Sequence, residues 1–316
     1  MTGKTAFVTG ASGFIGVNLV KQLGEAGWSV VAMHRETSDL TYLRQFPATR
    51  VVGDIGDRDF LAGAIPDGVD ALFHVAGNVS FDSAGDEAQT HANVAGTRAV
   101  VEVAKARKVG RFIHTSTGAV WGLHHGMPID ETAPSNADEI GVNYCSSKKA
   151  AEDIVLEAAA GGLDAVCVNP GNVVGPYDRV IWGPFVQAIA SGAMTTVGSG
   201  GGAFCHIDET AKAHISAYER GRRGERYILA GANEKFATAA GIVAEIVGVE
   251  APRATSERNP DASDEIHFVT NQNQIMLCDK AVRELGFRPV PLRTMFEDLC
   301  RWMREEGMLP AAPASA

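Results

Sequence analysis

An α/β fold built on a doubly wound parallel sheet is what the first 170 or so residues of this 316-residue chain predict. Three observations carry the expectation. Apolar, β-branched runs alternate with helical patterns. The runs are continuous rather than alternating, as in strands buried on both faces. The first run leads straight into GASGFIG (10–16), a glycine-spaced turn followed by a helical pattern.

Taken in order, the strand candidates are Thr5–Thr9, Trp28–Met33, Arg50–Gly53, Ala71–Val75, Arg111–Thr115 and Asp164–Asn169. The longest helical segments between them are Asp86–Val109 and Gly141–Ala160. Right-handed crossovers then place a ligand at the carboxyl ends of the strands. After Asn169 the pattern loosens, with Pro170, Gly175, Pro176, Gly183 and Pro184 interrupting it and Gly198–Gly202 reading as a flexible turn. A helix over Asp208–Arg220 and a strand over Arg226–Leu229 are expected to rejoin the sheet. The expected organisation is a nucleotide-binding domain over 1–170, rejoined by about 204–230, a smaller C-terminal α/β substrate domain formed by 171–203 and 231–309, and a disordered tail over 310–316.

Composition narrows the function. A formal net charge of −10 argues against a nucleic-acid partner. No apolar run approaches the ~20 residues of a membrane helix, and MTGKTAFVTG enters a strand pattern with no signal-peptide core. Five scattered cysteines, an odd number without Cys-x-x-Cys, read as free thiols of a reducing compartment, so a cytoplasmic protein is expected. The nine histidines show no metal-ligand spacing, and no metal is expected.

Between a strand and a helix, Gly10, Gly13 and Gly16 let the backbone approach a pyrophosphate at a helix N-terminus; the bland alternative is a tight turn with close packing. An acid commonly closes the second strand of an NAD site. Here His34 and Arg35 stand there, and Arg35 with Ser38 suits a 2′-phosphate, so NADP(H) is favoured over NAD(H), with Glu36 as the competing residue. Asp54, after the third strand, either accepts the adenine amino group or caps the next helix. Tyr144 and Lys148, four apart in NYCSSKKAAED (143–153), share a helix face, whereas Lys149 projects away toward solvent. A cation near a phenol lowers its pKa toward that of a useful general acid. Thr115, Ser116 and Thr117 cluster hydroxyls where the fifth strand ends, either for chemistry or merely to cap a turn. NPGNVVGP (169–176) breaks the chain just after the sixth strand.

Together these pieces, with HVAG (74–77), HANVAGT (91–97), HTSTGAVWG (114–122) and HIDETAKAH (206–214), resemble the extended short-chain dehydrogenase/reductases in family order. The resemblance implies a Rossmann domain with a smaller C-terminal substrate domain. It implies Tyr144 as general acid, Lys148 orienting the nicotinamide ribose and lowering the tyrosine pKa, and Thr117 hydrogen-bonding the reacting oxygen. The cofactor would be lined by Gly10, Ser12, Gly13, Phe14, Ile15 and Gly16, by Asp54 and Ile55, and by Val75, Ala76 and Gly77. Asn93, Thr115, Pro170, Asn172 and Val173 would complete its site. It also implies a homodimer through the two long helices, with alanines 150, 151, 158, 159 and 160 permitting close approach.

Within the family, dehydratases follow the site threonine with Asp-Glu, but Gly118-Ala119 stand here. Nucleotide-sugar epimerases carry Arg-Asp where this chain has Gly202-Ala203, though Arg179, Arg220, Arg222 or Arg223 could substitute. The segments HRETSDLTYL and AYERGRRGERYILAG look most like the dihydroflavonol 4-reductase branch. The expected activity is NADP(H)-dependent reduction of a ketone or aldehyde, or oxidation of the corresponding alcohol. An NAD-dependent nucleotide-sugar epimerase and a non-catalytic NADP-binding sensor are the alternatives. The loop 122–141 and the segment 177–202 are expected to shape the pocket. Trp182, Phe185 and Phe204 would serve either an apolar ligand or the core, and Glu131 reads as structural.

Overall fold

The computed structural model describes residues 3–79, 83–258 and 263–310. Its centre is a seven-stranded sheet, parallel throughout, whose strands in chain order are Thr5–Thr9, Ser29–His34, Thr49–Val52, Ala71–His74, Arg111–Thr115, Ala165–Pro170 and Arg226–Leu229. In space the order is seventh, sixth, fifth, fourth, first, second, third. The order therefore reverses between the first and fourth strands, and the crevice outside their carboxyl ends is where such sheets take ligands. Each expected strand is present within a residue or so of its expected bounds. The sixth runs on to Pro170, which the ladder tolerates because Gly171 N, one residue later, supplies the bond to Leu229 O.

Helices Phe14–Glu25 and Ile207–Arg220 pack together on one face of the sheet, and Arg58–Ala64, Gly96–Ala106 and Asn143–Ala160 cover the other. The helix expected over 86–109 is broken into Asp86–Thr90, a π segment His91–Ala95, and Gly96–Ala106. Residue periodicity does not reveal such an inserted wider turn, and these turns cluster at functional positions.

A smaller sheet joins Asn172–Val174, Gly201–His206 and Ala232–Lys235. Here the sequence expectation fails: Gly201 and Gly202 are not part of a flexible turn but are buried in a strand. An added Cβ would lie 2.6 Å from Glu234 O at Gly201 and 2.6 Å from Asn172 Nδ2 at Gly202. Glycine marks close strand approach there. Trp182 packs on Phe204 and Phe185, both at 5.2 Å between ring centroids, and on Phe296 of the helix Leu292–Glu305 at 5.7 Å. Trp182 and Phe204 are buried in the core, with Phe185 half-buried against them. Two short strands, Pro128–Ile129 and Ile275–Met276, tie the loop after the fifth strand to the C-terminal region.

All five cysteines are free thiols. Among the described residues no helix is long and apolar enough to cross a membrane, and no His/Cys/Asp/Glu group could hold a metal. Ala151, Ala158 and Ala159 are buried in the chain's own core and so are withheld from a partner helix; Ala160 is exposed. Of the tail expected over 310–316, residues 311–316 lie outside the described residues.

Candidate active site

The first strand ends at Thr9 and the chain turns at Gly10, whose φ is +64°. A Cβ at Gly10 would meet Ala76 N at 2.6 Å, and one at Gly16 would lie 2.2 Å from Gly10 O. Packing within the protein requires both glycines. Gly13 differs: it is exposed, its φ of −77° suits any residue, and an added Cβ would meet only Gly10 O, at 3.3 Å. It forms the N-cap of Phe14–Glu25, a helix with no side-chain cap and no acid in its first turn. The helix end, with Ser12, Phe14 and Ile15 partly exposed around it, fits a pyrophosphate by dipole and donor geometry.

Beyond the second strand, Arg35 N donates to Ser38 Oγ and Ser38 N to Arg35 O, both at 3.1 Å, so the two residues share one turn. Arg35 and Glu36 are both exposed, and among the described residues the Arg35 guanidinium has no ion pair. Asp57, not Asp54, caps the helix Arg58–Ala64. Asp54 instead accepts from Gly56 N at 2.8 Å and stays exposed, while Ile55 packs over Gly96.

At the end of the fifth strand, Thr117 begins a 3₁₀ turn, its Oγ1 accepting from Ala119 N at 3.2 Å. The same hydroxyl hydrogen-bonds Tyr144, in the first turn of Asn143–Ala160, and favours the ionised phenol. One hydroxyl thus serves both as a cap and as a site group. Lys148, 6% exposed, donates from Nζ to Thr115 O at 2.9 Å. A Cβ on Gly77 would lie 3.7 Å from that Nζ and 3.5 Å from Asn93 Oδ1, which brings the fourth-strand loop against the lysine. Burial lowers the Lys148 amine to about 8, with the Glu152 carboxylate opposing.

Electrostatics here depart from the expectation that Lys148 depresses the tyrosine. Its ammonium is bound to a backbone carbonyl, and the dry walls of the cleft push the Tyr144 phenol up to about 12 against the Thr117 hydrogen bond. Part of the Tyr144 surface nevertheless remains open to the cleft. Lys149 pairs with Asp153 at 2.6 Å and Asp138 at 3.7 Å, an ordinary surface charge as the helical period implied.

Other predicted residues divide by where their polar atoms point. The Thr115 hydroxyl turns inward to His214 Nε2 at 2.8 Å, leaving only its carbonyl at the lysine. The Asn172 amide donates to Ala203 O at 3.1 Å and is committed to the small sheet. Val173 is partly buried against the core, and Pro170 is buried at its strand end. Ala76 N donates to Thr9 Oγ1 at 3.2 Å, fixing the Val75–Gly77 loop to the first strand. Asn93, on the π segment, accepts from Asn78 N at 2.8 Å and donates to Asn78 O and Ser147 Oγ, both at 3.1 Å.

Sequence reasoning gave no site role to Asn78, Ser147 or His214, nor to the buried Glu152 and Asn169 and the half-buried Arg226 beside them. Ser147, Asn169 and His214 lay inside motifs already singled out, and Glu152 carried a spacing signal, standing four residues after Lys148 as Lys148 stands four after Tyr144. Glu131 is structural as expected: its carboxylate accepts from Ile228 N at 2.8 Å.

An open parallel sheet with a glycine turn at its switch point, and a buried Tyr-x-x-x-Lys pair on the same edge, defines a nicotinamide-dinucleotide enzyme of the α/β class. The chain belongs to the NAD dependent epimerase/dehydratase family, whose pattern matches residues 6–230. It is 30% identical to sterol demethylase protein B of Methylococcus capsulatus over 96% of this chain and 100% of that protein. It is likewise 30% identical to cinnamoyl-CoA reductase 1 of Arabidopsis thaliana, covering 97% and 91%. The crystal structure of gox2253 superposes with a TM-score of 0.88 at 33% identity, covering 97% of this chain and all of that one. The protein is thus an NAD(P)-dependent oxidoreductase of the extended short-chain type.

Proposed function

We propose that the protein is an NADP(H)-dependent reductase of a ketone or aldehyde, or oxidises the corresponding alcohol, with Tyr144 as the proton donor. The observation that carries this reading is the Thr117–Tyr144 hydrogen bond set beside a buried lysine at the carboxyl edge of the sheet. When bound, the nicotinamide supplies or takes the hydride. Tyr144, its phenol pushed up to about 12, holds its proton at working pH and can deliver it to a substrate oxygen. Thr117 Oγ1 holds that oxygen and by its hydrogen bond favours the phenolate left behind, while Lys148, held at Thr115 O, orients the nicotinamide ribose. Asn93, fixed by Asn78 and Ser147, and Gly77 shape the neighbouring wall.

Support for reduction over epimerisation comes from the arginines. Arg179 is paired with Asp39 at 2.6 Å. Arg220 is bound to Ser216 and the Leu285 carbonyl, and Arg222 to Glu284. Arg220, Arg222 and Arg223 moreover precede the seventh strand, at the amino edge of the sheet and away from Tyr144. These existing partners, and for Arg220, Arg222 and Arg223 their place at the amino edge, favour reduction over a diphosphate clamp. The reductase named among the relatives agrees with this reading.

The test is a panel of carbonyl compounds followed by loss of NADPH absorbance, with Tyr144→Phe compared on the best substrate. A general acid contributes ~10²–10⁴-fold, so kcat should fall by that factor while cofactor affinity holds. Turnover by the phenylalanine variant within tenfold of the parent would overturn the mechanism.

A further inference from the structure

Tyr144, Lys148 and Glu152 follow one another at intervals of four along Asn143–Ala160, so each stands one turn behind the last on a single helix face. Glu152 is 2% exposed, a position carboxylates rarely occupy without strong partners. Its Oε2 accepts from Asn169 Nδ2, and the same amide nitrogen reaches Thr117 O at 3.3 Å. Its Oε1 faces Arg226 Nη1 at 3.4 Å. Arg226 is itself held by Glu131 O at 2.7 Å and by the Trp121 ring, with the guanidinium 4.7 Å from the ring centroid. Ser116 Oγ, buried and without a well-formed partner, lies near enough to favour the charged carboxylate.

We infer that Glu152 is a positioning residue for the reaction: through Asn169 it sets the Thr117 backbone, and from one turn away its negative charge keeps Lys148 cationic. This rests on the site assignment above. An uncharged side chain could bridge helix and strand without the desolvation cost of a carboxylate; the charge meets the half-buried Arg226 on one side and leaves Lys148 as the second cation it can serve. Lys148 is the buried cation one turn away, with no ion pair within 4.0 Å among the described residues. The other titratable groups facing it do not compete. His74 on the fourth strand and His114 on the fifth are held neutral by burial, and Cys167 on the sixth is held as a thiol. Arg226 on the seventh strand faces Glu152, and Tyr144 on the same helix is held protonated. Removing the carboxylate therefore lowers the lysine further. At ~6 Å and an effective dielectric near 20, the effect is roughly one to two pH units.

The experiment measures the dissociation constant of NADPH by fluorescence between pH 6 and 10 for the parent and Glu152→Gln, alongside the pH dependence of kcat on the best carbonyl. In the parent, binding should weaken as Lys148 loses its proton near pH 8; in the variant that midpoint should fall by about one unit. Thermal stability should change by no more than a few degrees, and kcat at pH 8 should drop about tenfold with little change in carbonyl KM. A merely structural role would lower stability and leave the midpoint in place, which would overturn the inference. Because the binding midpoint needs no turnover, a chain that reduces no carbonyl would refute the reductase reading while the shift still decides the role of Glu152. Should the glutamine variant fail to fold, the apolar pair Glu152→Met/Arg226→Met removes the buried carboxylate with its half-buried partner, and the midpoint should still fall, by less than in Glu152→Gln because a positive charge is lost with the negative one.

Discussion

Arg35 carries the choice between the two nicotinamide dinucleotides. Its guanidinium is exposed at the end of the second strand, held in a turn with Ser38 and without a carboxylate to neutralise it among the described residues. A charge-assisted bond to a 2′-phosphate contributes ~1.5–3 kcal/mol. Arg35→Ala should therefore lower kcat/KM for NADPH by about 10–100-fold and leave that for NADH within threefold. Steady-state kinetics with both cofactors checks it, and a parent enzyme preferring NADH tenfold would refute it. At this scale the sequence was informative where spacing decides the outcome. Helical period alone separated Lys148 from Lys149, one buried and one paired with Asp153. It was silent where enclosure decides. The upward push on Tyr144 and the inward turn of the Thr115 hydroxyl toward His214 depend on walls contributed by distant segments.

Among the elements, the glycine turn offers the sharpest separation of packing from binding. Gly16 is barred from carrying a side chain by a backbone oxygen 2.2 Å from its would-be Cβ, whereas Gly13 has an ordinary φ and its one close atom, Gly10 O at 3.3 Å, need give by only a few tenths of an ångström. Gly16→Ala should destabilise the chain by about 1–3 kcal/mol or more, because the obstruction is backbone and cannot rotate away. Gly13→Ala should melt within a few degrees of the parent and yet bind NADPH at least tenfold more weakly, since its methyl would occupy the approach to the helix end. Melting curves and cofactor titration of both variants check this; unchanged affinity in Gly13→Ala would remove the pyrophosphate from this turn. The strands themselves were legible because burial on both faces writes a continuous apolar run, as in Thr5–Thr9 and Arg111–Thr115. The π segment at His91–Ala95 was not, since one widened turn leaves the residue pattern nearly intact. Gly201 and Gly202 were misleading for the opposite reason: glycine signals a turn in most contexts, and only the neighbouring strands disclose that here it admits close packing.

For the molecule as a whole, the row of polar residues across the sheet beneath the site sets the response to acid. Thr9, His74, His114 and Cys167 are register partners on successive neighbouring strands, and His74 and His114 stack at 5.4 Å. His74 joins Thr9 and Thr97 by hydrogen bonds of 2.8 and 3.0 Å, and His214 braces Thr115 from the helix above. Burial lowers His74 to about 3 and His214 to about 4, and holds His114 well below the usual histidine range. In the unfolded chain all three bind protons near 6.5, so the unfolded state takes up more protons as pH falls below that value, and folding stability falls with it. Glu131, Glu152 and Asp178 act in the opposite sense, because burial raises them and the folded state protonates them first. Any of these carboxyls that protonates between pH 7.5 and 5.5 offsets part of the loss, whose direction over that interval is set by the three histidines. Three such groups cost about 4 kcal/mol over that interval, a fall of roughly 5–10 °C in melting temperature for a chain of this size. Scanning calorimetry at the two pH values measures it. In His114→Leu, which removes a ring whose nitrogens have no hydrogen-bond partner among the described residues, about a third of the loss should vanish. A melting temperature that stays level from pH 7.5 to 5.5 would mean that these rings take up protons while folded, and that the site rests on charged rather than neutral histidines.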